Sequence, residues 1–161
     1  MKNKTNFLTQ SALIAALYVV LTMISSAFGM SSGVIQIRLG EALTVLPYFT
    51  PAAIPGLFIG CIISNIFSQA IIWDVVFGSL ATLVGALGTY FLRKRNYVLA
   101  VVPPIAANTI TVPFILAYAY NIGTAIPFMI LTVGIGEILS CGVLGILLIK
   151  ALKKRSKNIF R

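Results

Sequence analysis

Five apolar runs, residues 8–28, 51–73, 75–92, 97–120 and 125–149, approach or exceed the roughly 20 residues that an α-helix needs to cross a bilayer. Polar and basic residues collect in the breaks between them. A shorter apolar piece, 41–50, lies between the first two runs, contains Pro47 and stops at Pro51. Wound as an α-helix at about 1.5 Å per residue, it covers only about half of a hydrocarbon core.

Positive charge decides whether that piece crosses. Lys2 and Lys4 place the N-terminus inside. If 41–50 crosses, the chain has six spans, and both Arg93, Lys94 and Arg95 and the basic tail 150–161 also fall inside. If it does not, both clusters fall outside. Six spans are therefore expected, in a single domain over 1–161 with both termini cytoplasmic. The short second helix is expected to begin below the outer surface, where protein or water surrounds its end. The outer loops are 29–40, 72–74 and 121–124, and VIQIRLG in the first alternates enough for a short extended segment.

Composition agrees with this pattern. Of 161 residues, 59% are hydrophobic and 9% charged, with mean hydropathy +1.02; a soluble domain carries about 25% charge. The net charge of +9 sits at the flanks of apolar runs, with no basic face interleaved with aromatics, so no nucleic-acid partner is expected. The absence of histidine excludes Ser-His catalysis and His-based zinc or haem sites. Cys61 and Cys141 have no metal-like spacing, and no GxxxxGK[ST] motif is present. No catalytic residue, metal or cofactor is implied. The opening MKNKTNF before an apolar run has the form of a signal peptide, but the equally apolar remainder favours a retained first helix.

Small residues predict close helix packing. Gly56 and Gly60 form a GxxxG, Ala12 and Ala16 an AxxxA, and Gly134, Gly142 and Gly145 lighten the last span; Pro103, Pro104 and Pro113 are expected to kink the fifth.

Few polar groups fall at membrane depth. Gly134, Glu137, Ser140 and Cys141 share one helix face, opposite a lipid side of Ile138, Val143 and Ile146. A charge at mid-helix costs about 2.5–3.5 kcal/mol on insertion scales, and no Lys, Arg or His lies at similar depth to Glu137. It is either a neutral structural acid bonded to an Asn or Ser, or an acceptor for a ligand. Cys61, Asn65, Ser68 and Gln69 line one face of the third span, and Asn108 and Thr111 lie near mid-depth in the fifth. Asn65 and Asn108 can glue helices together or bond a heterocycle edge. Arg38 and Glu41, three apart, can form a local ion pair or touch a ligand. Asp74 is either an N-terminal helix charge or a contact. With Tyr48, Trp73 and Tyr118 nearby, the set predicts a pocket in the outer half for a small, flat, polar molecule, neutral or cationic.

The segments QIRLGEALTVLPYFTPAAIPGLFIGCIISN, DVVFGSLATLVGALGTY and TVGIGEILSCGVLG resemble the QueT family, substrate-binding S components of energy-coupling factor (ECF) transporters, over about residues 8–150. The resemblance implies an all-α, six-helix protein of the bacterial cell membrane that captures substrate from outside, beneath the loop between helices one and two. It implies no catalysis by this chain, a transmembrane coupling protein and two cytoplasmic ATPases as partners, and docking through the AxxxA face, here Ala12 and Ala16. The implied substrate is a queuosine precursor, a 7-deazaguanine base such as preQ1, with preQ0 and queuine as alternatives. Glu137 would then accept the guanine edge, with Glu41 or Asp74 near the amine. Asn65, Asn108, Gln36 and Arg38 would supply further contacts, and Tyr48, Trp73 or Tyr118 a stacking face. Two other readings compete: a solitary proton-coupled carrier of a polar heterocycle or another vitamin, with Glu137 as its proton site, and a non-transporting scaffold built on the AxxxA and GxxxG strips.

Overall fold

The computed structural model describes residues 2–30 and 36–154. Among them the chain forms six helical segments and no strand. These are helix 1 (Lys2–Ala27), helix 2 (Leu39–Tyr48), helix 3 (Ala53–Phe67), helix 4 (Asp74–Leu92), helix 5 (Tyr97–Tyr118) and helix 6 (Ile126–Lys153). Helices 1, 4, 5 and 6 are long and apolar enough to span a bilayer, and side chains such as Leu13, Val20, Val84, Ile110, Leu131 and Leu147 face outward from them. The architecture is that of an all-α, multi-pass membrane protein.

Helix 2 departs from the α-geometry expected of 41–50. It is a 3₁₀ helix of ten residues, and at about 2.0 Å per residue it reaches about 20 Å, against about 15 Å for an α-helix of equal length. It runs through the middle of the molecule, with Gly40, Glu41, Leu43, Thr44, Val45, Leu46 and Pro47 buried and helices 1, 3, 4 and 6 packed around it.

Helix 3 is shorter than the run 51–73 suggested. Gln69 takes a left-handed backbone (φ 55°), and the Ala70 N–H turns back to the Asn65 carbonyl at 2.9 Å, a Schellman-type stop. Helix 1 ends in the same way at Gly29 (φ 69°). Of the proposed extended segment, Val34 and Ile35 lie outside the described residues. Gln36–Arg38 is irregular, pinned by an Ile37 N–H to Met30 carbonyl bond of 2.9 Å.

Lipid offers no hydrophobic drive for helices to associate, so close contact between small residues must hold them. A Cβ added at Gly56 would lie 2.6 Å from the Ser11 carbonyl oxygen, and one at Gly60 3.0 Å from that of Ala15, so the GxxxG seats helix 3 on helix 1. Gly85 and Gly88 receive Pro104 and Pro103 in the same way, joining helices 4 and 5. Val101 interrupts helix 5 just before this pair.

Two stretches are wound as wide π turns: Asp74–Gly78 opens helix 4, and Ile138–Leu144 lies inside helix 6. The second changes the expected faces of helix 6. Ile138 and Val143 are exposed as expected, but Ile146 packs against the buried cluster of Val45, Val101, Cys141 and Ile149. A π turn holds more residues than an α turn, and so it rotates the residues after it.

Candidate functional site

All three acidic residues of the chain are buried at the Arg38 end of helix 2, each beside a departure from α-geometry. Glu41 lies in the 3₁₀ helix, Asp74 begins one π turn, and Glu137 immediately precedes the other. Such irregular windings are common at functional sites because they re-aim side chains.

Each carboxylate has one oxygen bonded and the other buried without a partner. Glu41 Oε1 accepts from the Tyr18 hydroxyl at 2.5 Å. Glu137 Oε1 accepts from Asn108 Nδ2 at 3.1 Å, and the same amide approaches Glu41. Asp74 Oδ2 accepts from the Tyr120 hydroxyl at 3.2 Å. Glu41 Oε2, Asp74 Oδ1 and Glu137 Oε2 are unpartnered, in side chains only 1%, 7% and 7% exposed. A buried acceptor left unsatisfied costs about 1–3 kcal/mol, so three together point to a site completed by donors from outside.

Arg38 is held beside them by its backbone. The Gln36 main chain lies on Gly136, where any Cβ would overlap the Gln36 carbonyl oxygen. The Arg38 N–H then donates to Ser140 Oγ at 3.1 Å, and the Leu39 N–H to Ser25 Oγ at 2.8 Å. Tyr18 takes only Oε1 of Glu41, and Arg38 acts on Glu41 through its field. Burial opposes the charge on the guanidinium, but the fields of Asp74, Glu41 and Glu137 outweigh it and raise the Arg38 pKa, so it remains a cation. One cation thus faces three acids.

A polar cavity of about 200 Å³ is lined by residues including Tyr18, Thr22, Arg38, Asn65, Asp74 and Tyr120. Asn65 Nδ2 donates to the Asp74 carbonyl oxygen at 3.3 Å and contacts Cys61 Sγ at 3.7 Å. The Tyr120 hydroxyl, besides donating to Asp74, accepts from the Ile71 N–H at 3.2 Å. Burial, and then the Asp74 carboxylate, push its phenol above the usual range against the lowering effect of the Ile71 N–H. It therefore stays an O–H donor.

The structure brings together Arg38, Glu41, Asn65, Asp74, Asn108 and Glu137, with Gln36 touching helix 6 through its main chain. It does not bring in the three aromatics. Trp73 and Tyr118 stand outward, 56% and 73% exposed, in an apolar groove with Phe77, Ile110 and Phe114, because the inward position at the start of helix 4 belongs to Asp74. Tyr48 lies at the far end of helix 2, where its ring is 5.0 Å from that of Phe49 and 5.8 Å from Lys153 Nζ. Sequence reasoning missed Tyr18, Thr22 and Tyr120. Tyr18, Thr22 and Ser26 recur every four residues along the first span, a polar ladder that could have marked its inner face; no local signal marked Tyr120.

The family model described as QueT transporter matches residues 8–154. The chain belongs to the QueT family. A curated relative, Queuosine precursor transporter QueT of Lactococcus lactis subsp. cremoris (strain MG1363), is 42% identical over 83 residues, which cover 52% of this chain and 48% of that protein. The match thus spans about half the length of that relative. No solved structure gives a significant match to this QueT-family chain.

Proposed function

We propose that this chain is the substrate-binding subunit of an ECF-type importer, and that it captures a queuosine precursor from the outer side of the cell membrane. Its termini face the cytoplasm, and the Arg38 end of helix 2 faces out. The observation carrying this reading is the set of three buried carboxylates, each with one oxygen fixed by a protein donor and one unbonded. A 7-deazaguanine base brings an N–H-rich edge that a carboxylate can accept in pairs, and preQ1 adds an aminomethyl cation. Glu137, steadied by Asn108, receives the base edge. Asp74, at the cavity wall, receives the amine, while Glu41 and Arg38 set the field between them. The name of the Lactococcus relative supports the same substrate class.

Partners supply the energy. Ala12 and Ala16 lie exposed on helix 1, in an apolar groove completed by Ile59 and Ile63 of helix 3. This small-residue face is the proposed seat of the transmembrane coupling protein, which links the chain to two ATPases. Equilibrium binding of preQ1 and preQ0 to the purified chain tests the substrate, with Glu137→Gln and Asp74→Asn in parallel. Glu137→Gln should weaken both bases, and Asp74→Asn should weaken preQ1 while sparing preQ0, which lacks the amine. Failure of the wild-type chain to bind either base would sink the proposal. Robust uptake by the chain without the ATPase module would remove the coupling half and favour a solitary carrier.

A further inference from the structure

Tyr120 reaches the cavity from beyond the end of helix 5, and its single hydroxyl makes two bonds of opposite sense. It donates to Asp74 Oδ2 and accepts from the Ile71 N–H, both at 3.2 Å. A backbone N–H can only donate, so the hydroxyl accepts from Ile71 and its own proton is free to go to Asp74. One atom thereby ties the segment after helix 5 to the segment before helix 4, across the wall of the polar cavity.

The two tied segments share a further property. Gln69 (φ 55°) and Asn121 (φ 50°) are the two described non-glycine residues with left-handed backbones, one in each segment. Residues of this kind persist where surrounding contacts over-determine them. Asp74 meanwhile keeps Oδ1 unbonded, and the missing Cβ of Gly78 leaves that oxygen room, since one added there would lie 2.8 Å away.

We infer that Tyr120 is a positioning and specificity residue for this site: its hydroxyl fixes the Asp74 carboxylate for a cationic amine and straps the two outer segments together over the bound molecule. This rests on the reading that the cavity receives the amine of the substrate. Tyr120 touches Asp74 and not the base, so its effect on binding passes through that carboxylate and through the closure of the cavity.

The test uses the chain of residues 1–161 in lipid nanodiscs, with preQ1 and preQ0 as probes. Tyr120→Phe keeps the ring and removes both bonds. It should weaken preQ1 about tenfold and preQ0 less than about twofold, and should speed preQ1 dissociation. Because Tyr120 acts through Asp74, Tyr120→Phe should add little to Asp74→Asn in the double variant. On the wild-type chain, which needs no variant to fold, preQ1 should slow hydrogen exchange at the Ile71 amide. Equal weakening of the two bases, full additivity with Asp74→Asn, or Ile71 exchange indifferent to preQ1 would each overturn the inference. A wild-type chain that binds neither base overturns both this and the substrate reading. A wild-type chain that binds preQ1 while Tyr120→Phe behaves identically overturns this inference alone.

Discussion

The two ends of helix 2 are built on opposite principles. At the Tyr48 end no described buried side-chain oxygen or nitrogen lacks a partner. Lys153 Nζ lies over the rings of Tyr48 and Tyr97 at 5.8 and 5.3 Å, Thr89 Oγ1 donates to the Ala100 carbonyl at 2.7 Å, and prolines fill the glycine notches between helices 4 and 5. At the Arg38 end three carboxylates each keep an unanswered oxygen. Both ends are buried, so burial alone does not mark a site. What distinguishes them is satisfaction: one end commits its buried polar groups to holding the fold, and the other leaves three carboxylate oxygens unbonded.

Variants at the two ends should therefore separate binding from stability. The largest effect is expected for Glu137→Gln, which should weaken preQ1 about 10- to 100-fold, as for loss of a charged hydrogen bond. Its unfolding midpoint should hold, because the amide oxygen of Gln can still accept from Asn108 Nδ2; calorimetric binding and a thermal melt on one preparation read both. Next comes Gly85→Ala at the other end. The new Cβ would lie 2.6 Å from Pro104 Cα, and overpacking of this kind costs about 1–3 kcal/mol. The melt should fall while the folded fraction binds preQ1 normally. Thr89→Val leaves the Ala100 carbonyl without its donor and should cost about 1 kcal/mol of stability. Lys153→Gln should cost about 0.5 kcal/mol through the lost cation–π contacts, within reach of a careful denaturation series. If Gly85→Ala, Thr89→Val or Lys153→Gln shifts preQ1 affinity in the folded fraction, the division between the ends breaks down.

Much of this plan could be read from the chain itself. The apolar runs, with the basic clusters between them, marked the helices that appear, and the inward face of Glu137 followed from Gly134, Ser140 and Cys141. The Asn108–Glu137 bond was anticipated only as one of two fates for that acid. Less legible were departures from ideal winding. Hydropathy carries no sign that 39–48 is a 3₁₀ helix or that helix 6 widens after Glu137, since tertiary packing selects these forms. Long-range pairings such as Tyr18–Glu41 and Tyr120–Asp74 were hidden for a related reason, because each joins elements whose register the sequence does not state. Trp73 adjoins Asp74 and Tyr48 shares a helix with Glu41, yet neighbours in sequence leave a helix in different directions.

The ten-residue 3₁₀ helix has an evolutionary corollary. With about three residues per turn, Arg38, Glu41, Thr44 and Pro47 fall along one edge. Inserting or deleting a single residue between Glu41 and Tyr48 would turn one end against the other by about 120°, carrying Glu41 away from Tyr18 or Tyr48 away from Lys153. Side chains along this segment can be exchanged one at a time, but its length cannot drift. Relatives that share the site should vary here in spelling and never in residue count.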